Sequence, residues 1–307
     1  MIYDILIAGA GTAGLTAGIY AGRSGKSVLI FEGAFPGGAI ITSPFIENYP
    51  AIKTISGPEF ANEMVQQAEN AGAKIVYEKI IGADIEGDIK KITTSSGEYL
   101  GKTLIIATGT VRRKLGVKNE VEFTGRGVSY CAYCDGAFFR NQTATVVGGG
   151  NTALEDAIYL ANICKKVYII HRRDSFKGEE TLSKKVFETE NIEFIPDTVV
   201  EEIIGDDVLK EIKVKNLKTG DFKTIETEGL FVAVGQKAQN EIFSPPVDTD
   251  DSGYVKATED CSTNIPGVYA AGDCRVKTLR QLITASADGA AAVTSATQYI
   301  NKINGGK

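Results

Sequence analysis

The chain has 307 residues, 43% hydrophobic and 23% charged, with a formal net charge of −6. That balance excludes a disordered chain, and the absence of a basic tract excludes a nucleic-acid-binding surface. The length admits two domains, each able to bury its own core. Five cysteines, an odd number spread over a long chain, do not form a secreted disulfide framework and point to a reducing compartment.

The first predicted element is the N-terminal apolar run. Met1 to Ala8 is too short to span a bilayer and has no basic leader, so it reads as a buried strand of a cytoplasmic, non-membrane protein. The β-rich core of that run is Ile5 to Ala8; a small-residue helix over Thr12 to Ser24 and a strand over Ser27 to Phe31 complete a βαβ unit. The turn between them reads Gly9-Ala10-Gly11-Thr12-Ala13-Gly14. In such a turn Gly9 permits the tight bend, Gly11 lets the backbone approach a pyrophosphate, and Gly14 allows close helix packing; the helix N-terminus attracts the phosphate charge. Glu32, about twenty residues on at the end of the second strand, is placed to accept from ribose hydroxyls. The plain alternative is a structural glycine turn, against which strand, helix and acid count together.

Ile89 to Ser95 alternates apolar and polar residues between turns, as a small antiparallel sheet does. A second βαβ unit follows: strand Ala144 to Val147, helix Asn151 to Ile163, strand Val167 to Ile170. Its turn, Gly148-Gly149-Gly150-Asn151-Thr152-Ala153, repeats the glycine pattern, but the second strand now ends in His171-Arg172-Arg173 instead of an acid. Arginines there pair with a 2′-phosphate through charge-assisted hydrogen bonds, so this site prefers NADPH to NADH. The alternative is a solvated basic turn partly neutralised by Asp174. His171, the only histidine, reads as a packing or ribose-edge residue rather than a catalytic one. Leu209 to Asn216 and Phe222 to Glu228 predict a further antiparallel sheet, Pro245-Pro246 a hinge, and Leu279 to about Ile303 a final helix packing back on the first domain. The fold class is therefore α/β: two Rossmann-like dinucleotide-binding domains, the second inserted in the first, with small antiparallel sheets. The expected boundaries are 1–113 with 244–307 for the first domain and 114–243 for the second.

Between the two fingerprints lies Cys131-Ala132-Tyr133-Cys134-Asp135. A structural zinc site wants a second close pair of ligands, whereas Cys164, Cys261, Cys274 and His171 are isolated from one another, so no metal is expected. A redox dithiol explains the spacing better, since two intervening residues permit a short disulfide loop and a more acidic first thiol. Asp135 adds an acid/base group beside it. Two nucleotide sites and a redox pair together point to an oxidoreductase. Cys164, Cys261 and Cys274 read as structural thiols.

Over essentially its whole length the chain resembles the low-molecular-weight, bacterial-type thioredoxin reductases. The resemblance is carried by Gly37-Gly38 followed by Ile46-Glu47-Asn48-Tyr49-Pro50, the Ala107-Thr108-Gly109 turn, and Gly125-Arg126-Gly127-Val128-Ser129 leading into Cys131 to Gly136. The Gly148 to Ala153 loop, His171-Arg172-Arg173, Ala271-Gly272-Asp273 and Arg280-Gln281 complete it. It implies FAD held by Gly9, Gly11, Thr12, Ala13, Gly14, Glu32, Gly38, Asn48, Ala107, Thr108, Gly109, Gly272, Asp273, Arg280 and Gln281. It implies NADPH held in the inserted domain by Gly148, Gly150, Asn151, Thr152, Ala153, His171, Arg172, Arg173 and Lys177. It further implies hydride transfer from NADPH to FAD, reduction of a Cys131–Cys134 disulfide, and exchange with oxidised thioredoxin in a homodimeric enzyme. Cys134 would be the flavin-side sulfur, Cys131 the interchange thiol and Asp135 the acid.

Two departures stand out. Lys177 replaces an arginine usual in the family, keeping charge but losing the fork, and Ala39-Ile40 replaces a more polar pair after Gly38. Alternatives on the same scaffold are a ferredoxin donor, against which the intact second loop counts, a glutaredoxin-like acceptor, or a peroxidase-linked partner, against which the lack of an N-terminal thioredoxin-like stretch counts. A ferredoxin or flavodoxin NADP reductase would need no cysteine pair, and a non-enzymatic binding module no flavin.

Overall fold

In the computed structural model the described residues are 1–43 and 46–305; the side chains of residues 42 and 134 also lie outside the description. The chain forms two compact units, Met1–Val111 with Lys237–Lys307, and Arg112–Gln236.

The first unit is built on strands β1 (Ile2–Ala8), β2 (Val28–Phe31), β3 (Lys74–Val76), β4 (Ile80–Asp84), β5 (Lys90–Thr94) and β6 (Glu98–Ile106), with helices α1 (Thr12–Arg23) and α2 (Gly57–Asn70). The sheet order is β3-β2-β1-β6-β5-β4. Strand β1 pairs in parallel with both β2 and β6, whereas β5 joins β6 and β4 antiparallel. The alternating stretch at 89–95 therefore extends the main sheet and does not make a separate one. Successive β1 side chains point to opposite faces: Ile5 and Ile7 enter one apolar cluster, Leu6 and Ala8 the other. Both faces are covered, so the strand is apolar at every one of these positions.

The chain crosses into the second unit through β7 (Thr110–Arg112). There follow α3 (Glu120–Phe123), β8 (Val128–Ser129), α4 (Ala132–Asp135), β9 (Thr143–Val147), α5 (Asn151–Ala161), β10 (Lys166–Ile170), α6 (Glu180–Glu188) and β11 (Ile192–Ile195). A meander of β12 (Thr198–Gly205), β13 (Leu209–Asn216) and β14 (Phe222–Glu226) leads to β15 (Gly229–Val232) and the return strand β16 (Gln236–Ala238). Strands β11-β10-β9-β15-β8 form one parallel sheet, β12-β13-β14 an antiparallel one, and β16 pairs with β7.

The return into the first unit comes at Lys237, earlier than the expected residue 244. Past it Asn240 is buried, donating to the Gly253 and Cys274 carbonyls at 2.8 and 2.9 Å, so this stretch is already core. Pro245-Pro246 is correspondingly not a hinge: its neighbours Phe243 and Val247 are 1% and 2% exposed within the first unit. The unit closes with β17 (Val268–Ala270), parallel to β6, and helix α7 (Leu282–Gly305), which begins after Gln281 rather than at Leu279.

Helix α7 lies close against α1. A Cβ on Gly289 would stand 2.3 Å from the Ala13 carbonyl oxygen, so glycine sets the approach. Gly289→Ala should lower stability by about 1–3 kcal/mol through overpacking, read as a reduced Tm. Gly305→Ala, with nothing within 4 Å of its new methyl, should not.

Candidate functional site

In the first unit the glycine turn is fixed by lack of room. Gly9 has φ +110°, and a Cβ there would meet the Ala107 carbonyl oxygen at 2.4 Å; one on Gly14 would meet the Gly9 oxygen at 1.9 Å. Gly11 is different: a Cβ there would meet no atom within 4 Å, although Gly11 is the N-cap of α1 and offers no side-chain cap. The first turn of α1 thus has no side-chain cap, and the residue before it carries no side chain to stand in the way, the arrangement that receives a phosphate. Glu32 accepts from Ala10 N–H at 3.0 Å and from Ala34 N–H at 2.9 Å, one bond to each oxygen. Each oxygen keeps lone-pair capacity for a hydroxyl donor.

Other expected positions converge on the same unit. Asn48 donates to Gln281 Oε1 at 3.2 Å, bringing together residues far apart in sequence. Gly37 N–H donates to the Ala10 carbonyl at 2.7 Å, and a Cβ on Gly38 would lie 3.3 Å from Gly11 Cα. Thr108 donates to Asn240 at 2.8 Å, following the Ala107 contact with Gly9, and Gly109 has room around it. Arg280 stacks its guanidinium 4.2 Å from the Tyr254 ring centre. Gly272, beside Ala13, donates its N–H to Asp288 at 2.9 Å; Asp288 in turn accepts from Arg275 at 2.9 Å and Lys277 at 2.7 Å. Asp273 Oδ1 is buried with no hydrogen-bond partner, and burial holds its carboxyl above the usual range against the pull of Lys277 and Arg280. An orphaned acceptor beside an open helix terminus fits a ligand that brings both a phosphate and hydroxyl donors.

The second unit repeats the turn with other surroundings. Gly148 is closed in by the Ala233 oxygen, which a Cβ would approach to 2.3 Å, while Gly150, the N-cap of α5, has nothing within 4 Å and no side-chain cap. Thr152 and Ala153 follow in the first turn of α5, Ala153 fully buried. Asn151 is tied to the far side of the loop, accepting from Glu179 N–H at 2.8 Å and donating to its carboxylate at 3.0 Å. Lys177 N–H donates to the Gly149 carbonyl at 2.7 Å, so the basic loop folds over the glycine turn. The His171 ring lies on Gly149, where a Cβ would come within 2.6 Å of it. Burial first, then Arg172, Arg173 and Lys177, depress its pKa, leaving a neutral ring whose Nε2 is buried and unpartnered. Arg172 and Arg173 are exposed and, among the described residues, form no ion pair, because Asp174 pairs with Lys218 at 3.4 Å instead.

The same unit holds the cysteine pair. Cys131, half-buried, is disulfide-bonded and forms the N-cap of the short helix α4; the Cys134 side chain lies outside the described residues. Ser129, 5% exposed on β8, donates to Asp135 Oδ2 at 2.6 Å and accepts from Cys131 N–H at 3.0 Å. Tyr133 stacks on Tyr159 of α5, ring centres 4.3 Å apart. One turn before Tyr159, Asp156 is 6% exposed, and burial pushes its carboxyl up to about 7 although Arg112 pulls it down. The other cysteines are free and buried: burial raises Cys164 and Cys274 to about 11 and Cys261 to about 12, so they are poor nucleophiles at neutral pH.

A family model of pyridine nucleotide-disulphide oxidoreductases matches residues 3–289. The chain belongs to that family. Among family members a thioredoxin reductase of Peptoclostridium acidaminophilum is 41% identical over 306 residues, covering 97% of each chain. Two solved thioredoxin reductases are similar throughout. That of Lactococcus lactis aligns with TM-score 0.81 and 42% identity over 98% of this chain and 99% of its own. That of Streptococcus pyogenes aligns with TM-score 0.80 at the same identity and coverage.

Asp156, Arg112 and the Asp288 cluster escape sequence reading because they depend on contacts the sequence does not show; Ser129 enters it only as the last residue of the motif leading into Cys131, with no role of its own.

Asp156 generates a pH prediction. Its folded value of about 7 lies above that of an unfolded aspartate. Its contribution to stability is therefore complete below about pH 4 and is lost as pH rises to the folded value. Asp156→Asn should raise Tm relative to the parent by an amount that grows over that interval and levels off above it. A difference that does not vary with pH would refute the burial argument.

Proposed function

We propose that the protein is a thioredoxin-disulfide reductase using FAD in the first unit and NADPH in the second. The observation that carries the reading is the Cys131 disulfide at the start of α4, backed by the Ser129–Asp135 hydrogen bond, in a unit that also holds an uncapped glycine-turn helix terminus and exposed arginines that form no ion pair among the described residues. The relatives of about 40% identity, named thioredoxin reductases, support the acceptor.

The first unit's open α1 terminus, the Glu32 carboxylate and the unpartnered Asp273 oxygen would hold FAD. The Gly148–Gly150 turn, His171, Arg172, Arg173 and Lys177 would hold NADPH, the arginines gripping the 2′-phosphate and Lys177 acting as a point charge. The bound groups supply a two-electron relay from nicotinamide through the flavin ring to the disulfide.

The chain's own part begins with the dithiol. Cys131 as thiolate attacks one sulfur of the thioredoxin disulfide; that S–S bond breaks, a mixed disulfide forms, and the leaving thiolate takes the proton held by Asp135. Cys134 then gives up its thiol proton and attacks Cys131 Sγ as thiolate, restoring the disulfide, and the second thioredoxin sulfur leaves as thiolate and takes that proton. Two electrons and two protons pass to the acceptor. The same reading makes the protein a cytoplasmic homodimer. Three buried free thiols support the reducing compartment.

Three experiments test the assignment. Denatured protein should release one FAD per chain, and release of FMN or of no flavin refutes it. Arg172→Ala with Arg173→Ala should raise KM for NADPH by roughly 10- to 100-fold, the value of one or two charged hydrogen bonds, with kcat and the NADH constants little changed. Equal kcat/KM for the two nucleotides in the parent protein would remove the phosphate role. Cys131→Ser should abolish thioredoxin reduction while flavin reduction by NADPH continues, and turnover surviving that change would make the disulfide structural.

A further inference from the structure

Ser129 has a position that packing alone does not require. It sits at the end of the two-residue strand β8, paired with β15 through Phe231, and is 5% exposed. Its hydroxyl touches three polar atoms of the redox turn: Asp135 Oδ2 at 2.6 Å, the Cys131 amide nitrogen at 3.0 Å and the Cys131 carbonyl oxygen at 3.3 Å. Asp135 N–H closes the turn onto the same carbonyl at 3.1 Å. One hydroxyl proton can serve only one acceptor at a time. The shorter contact, within the range of a hydroxyl on an ionised carboxylate, takes it while Asp135 is charged.

When Asp135 is protonated the direction must reverse. The carboxylic acid then donates, Ser129 Oγ accepts, and the serine proton turns to the Cys131 carbonyl. The Cys131 amide bond persists in both states. Neither arrangement strands a buried polar group, which otherwise costs about 1–3 kcal/mol.

We propose that Ser129 is a positioning residue for the disulfide exchange: its hydroxyl fixes Asp135 against the first turn of the redox helix and swings between the Asp135 carboxylate and the Cys131 carbonyl as Asp135 gains or gives up its proton. The proposal rests on the reading of Cys131 and Asp135 given above. It assigns Ser129 no contact with the reacting sulfurs; it acts through Asp135. A serine that merely capped the turn would make the same bond to the Cys131 amide and would matter whether or not Asp135 could ionise.

A double-mutant cycle separates the two roles. The measured quantity is the single-turnover rate at which the NADPH-reduced holoenzyme is reoxidised by oxidised thioredoxin. Each rate is divided by the same variant's own rate of flavin reduction by NADPH, which cancels losses of fold or cofactor. Ser129→Ala should slow this ratio about tenfold, a fraction of what a general acid contributes. Ser129→Thr, which keeps the hydroxyl, should restore it to within about threefold of the parent. In an Asp135→Asn background, Ser129→Ala should change it by less than about twofold, because nothing is left to position.

Full additivity of the two substitutions, or a Thr variant no faster than the Ala variant, overturns the positioning role while leaving Asp135 as the acid. A parent-like rate in Ser129→Ala does the same. A parent-like rate in Asp135→Asn overturns the acid assignment and the positioning role with it.

Discussion

An anion can be bound by backbone amides only where no side chain stands between, and the two glycine turns are organised around that constraint. At Gly14 a single methyl would overlap the Gly9 carbonyl, and at Gly148 it would overlap that of Ala233; at Gly11 and Gly150 the space is empty. Close packing behind and vacancy in front are two sides of one requirement. The strand-to-helix bend must be tight enough to aim the helix N-terminus outward, and the residue at the tip must leave the approach open. The parallel strand pairs on either side of β1 and β9 hold these two bends in place.

What distinguishes the two sites is the charge set around equivalent backbones. In the first unit Glu32 is held by two amides and remains an acceptor, suiting hydroxyl donors. In the second, the corresponding strand end carries a neutral histidine packed on the glycine turn and two exposed arginines with no carboxylate partner among the described residues, Asp174 pairing with Lys218 instead. On the proposed reading, exchanging one acid for two cations would suit this edge to a phosphate rather than to a hydroxyl donor on the same kind of backbone.

The parts of this chain that were legible in sequence are those encoded locally. Apolar runs flanking glycine turns gave the two βαβ units, and the Cys131 segment announced itself by spacing. The return crossing was not legible: Pro245-Pro246 has the composition of a hinge, yet Phe243 and Val247 beside it are core residues, a fact set by neighbours far along the chain. The alternation at residues 89–95 identified a strand correctly but not the sheet it joins, since β6 pairs in parallel with β1 along one edge while the other edge takes β5 antiparallel at 98–101 and β17 in parallel at 104–106. Asp156 escaped for a related reason. A charged residue inside a helix is usually solvated, and only the packing around α5 buries this one.

The pairing of β7 with β16 has a consequence for how such a chain arises and changes. The outgoing and returning segments are neighbours in one small ladder, so the inserted unit begins and ends at adjacent points, like a cassette between two abutting joints. A unit joined in that way can be exchanged or lost in one recombination event without rethreading the host sheet. On the proposed assignment the nucleotide grip and the redox pair would travel together in that cassette, making donor and acceptor chemistry heritable as a single piece.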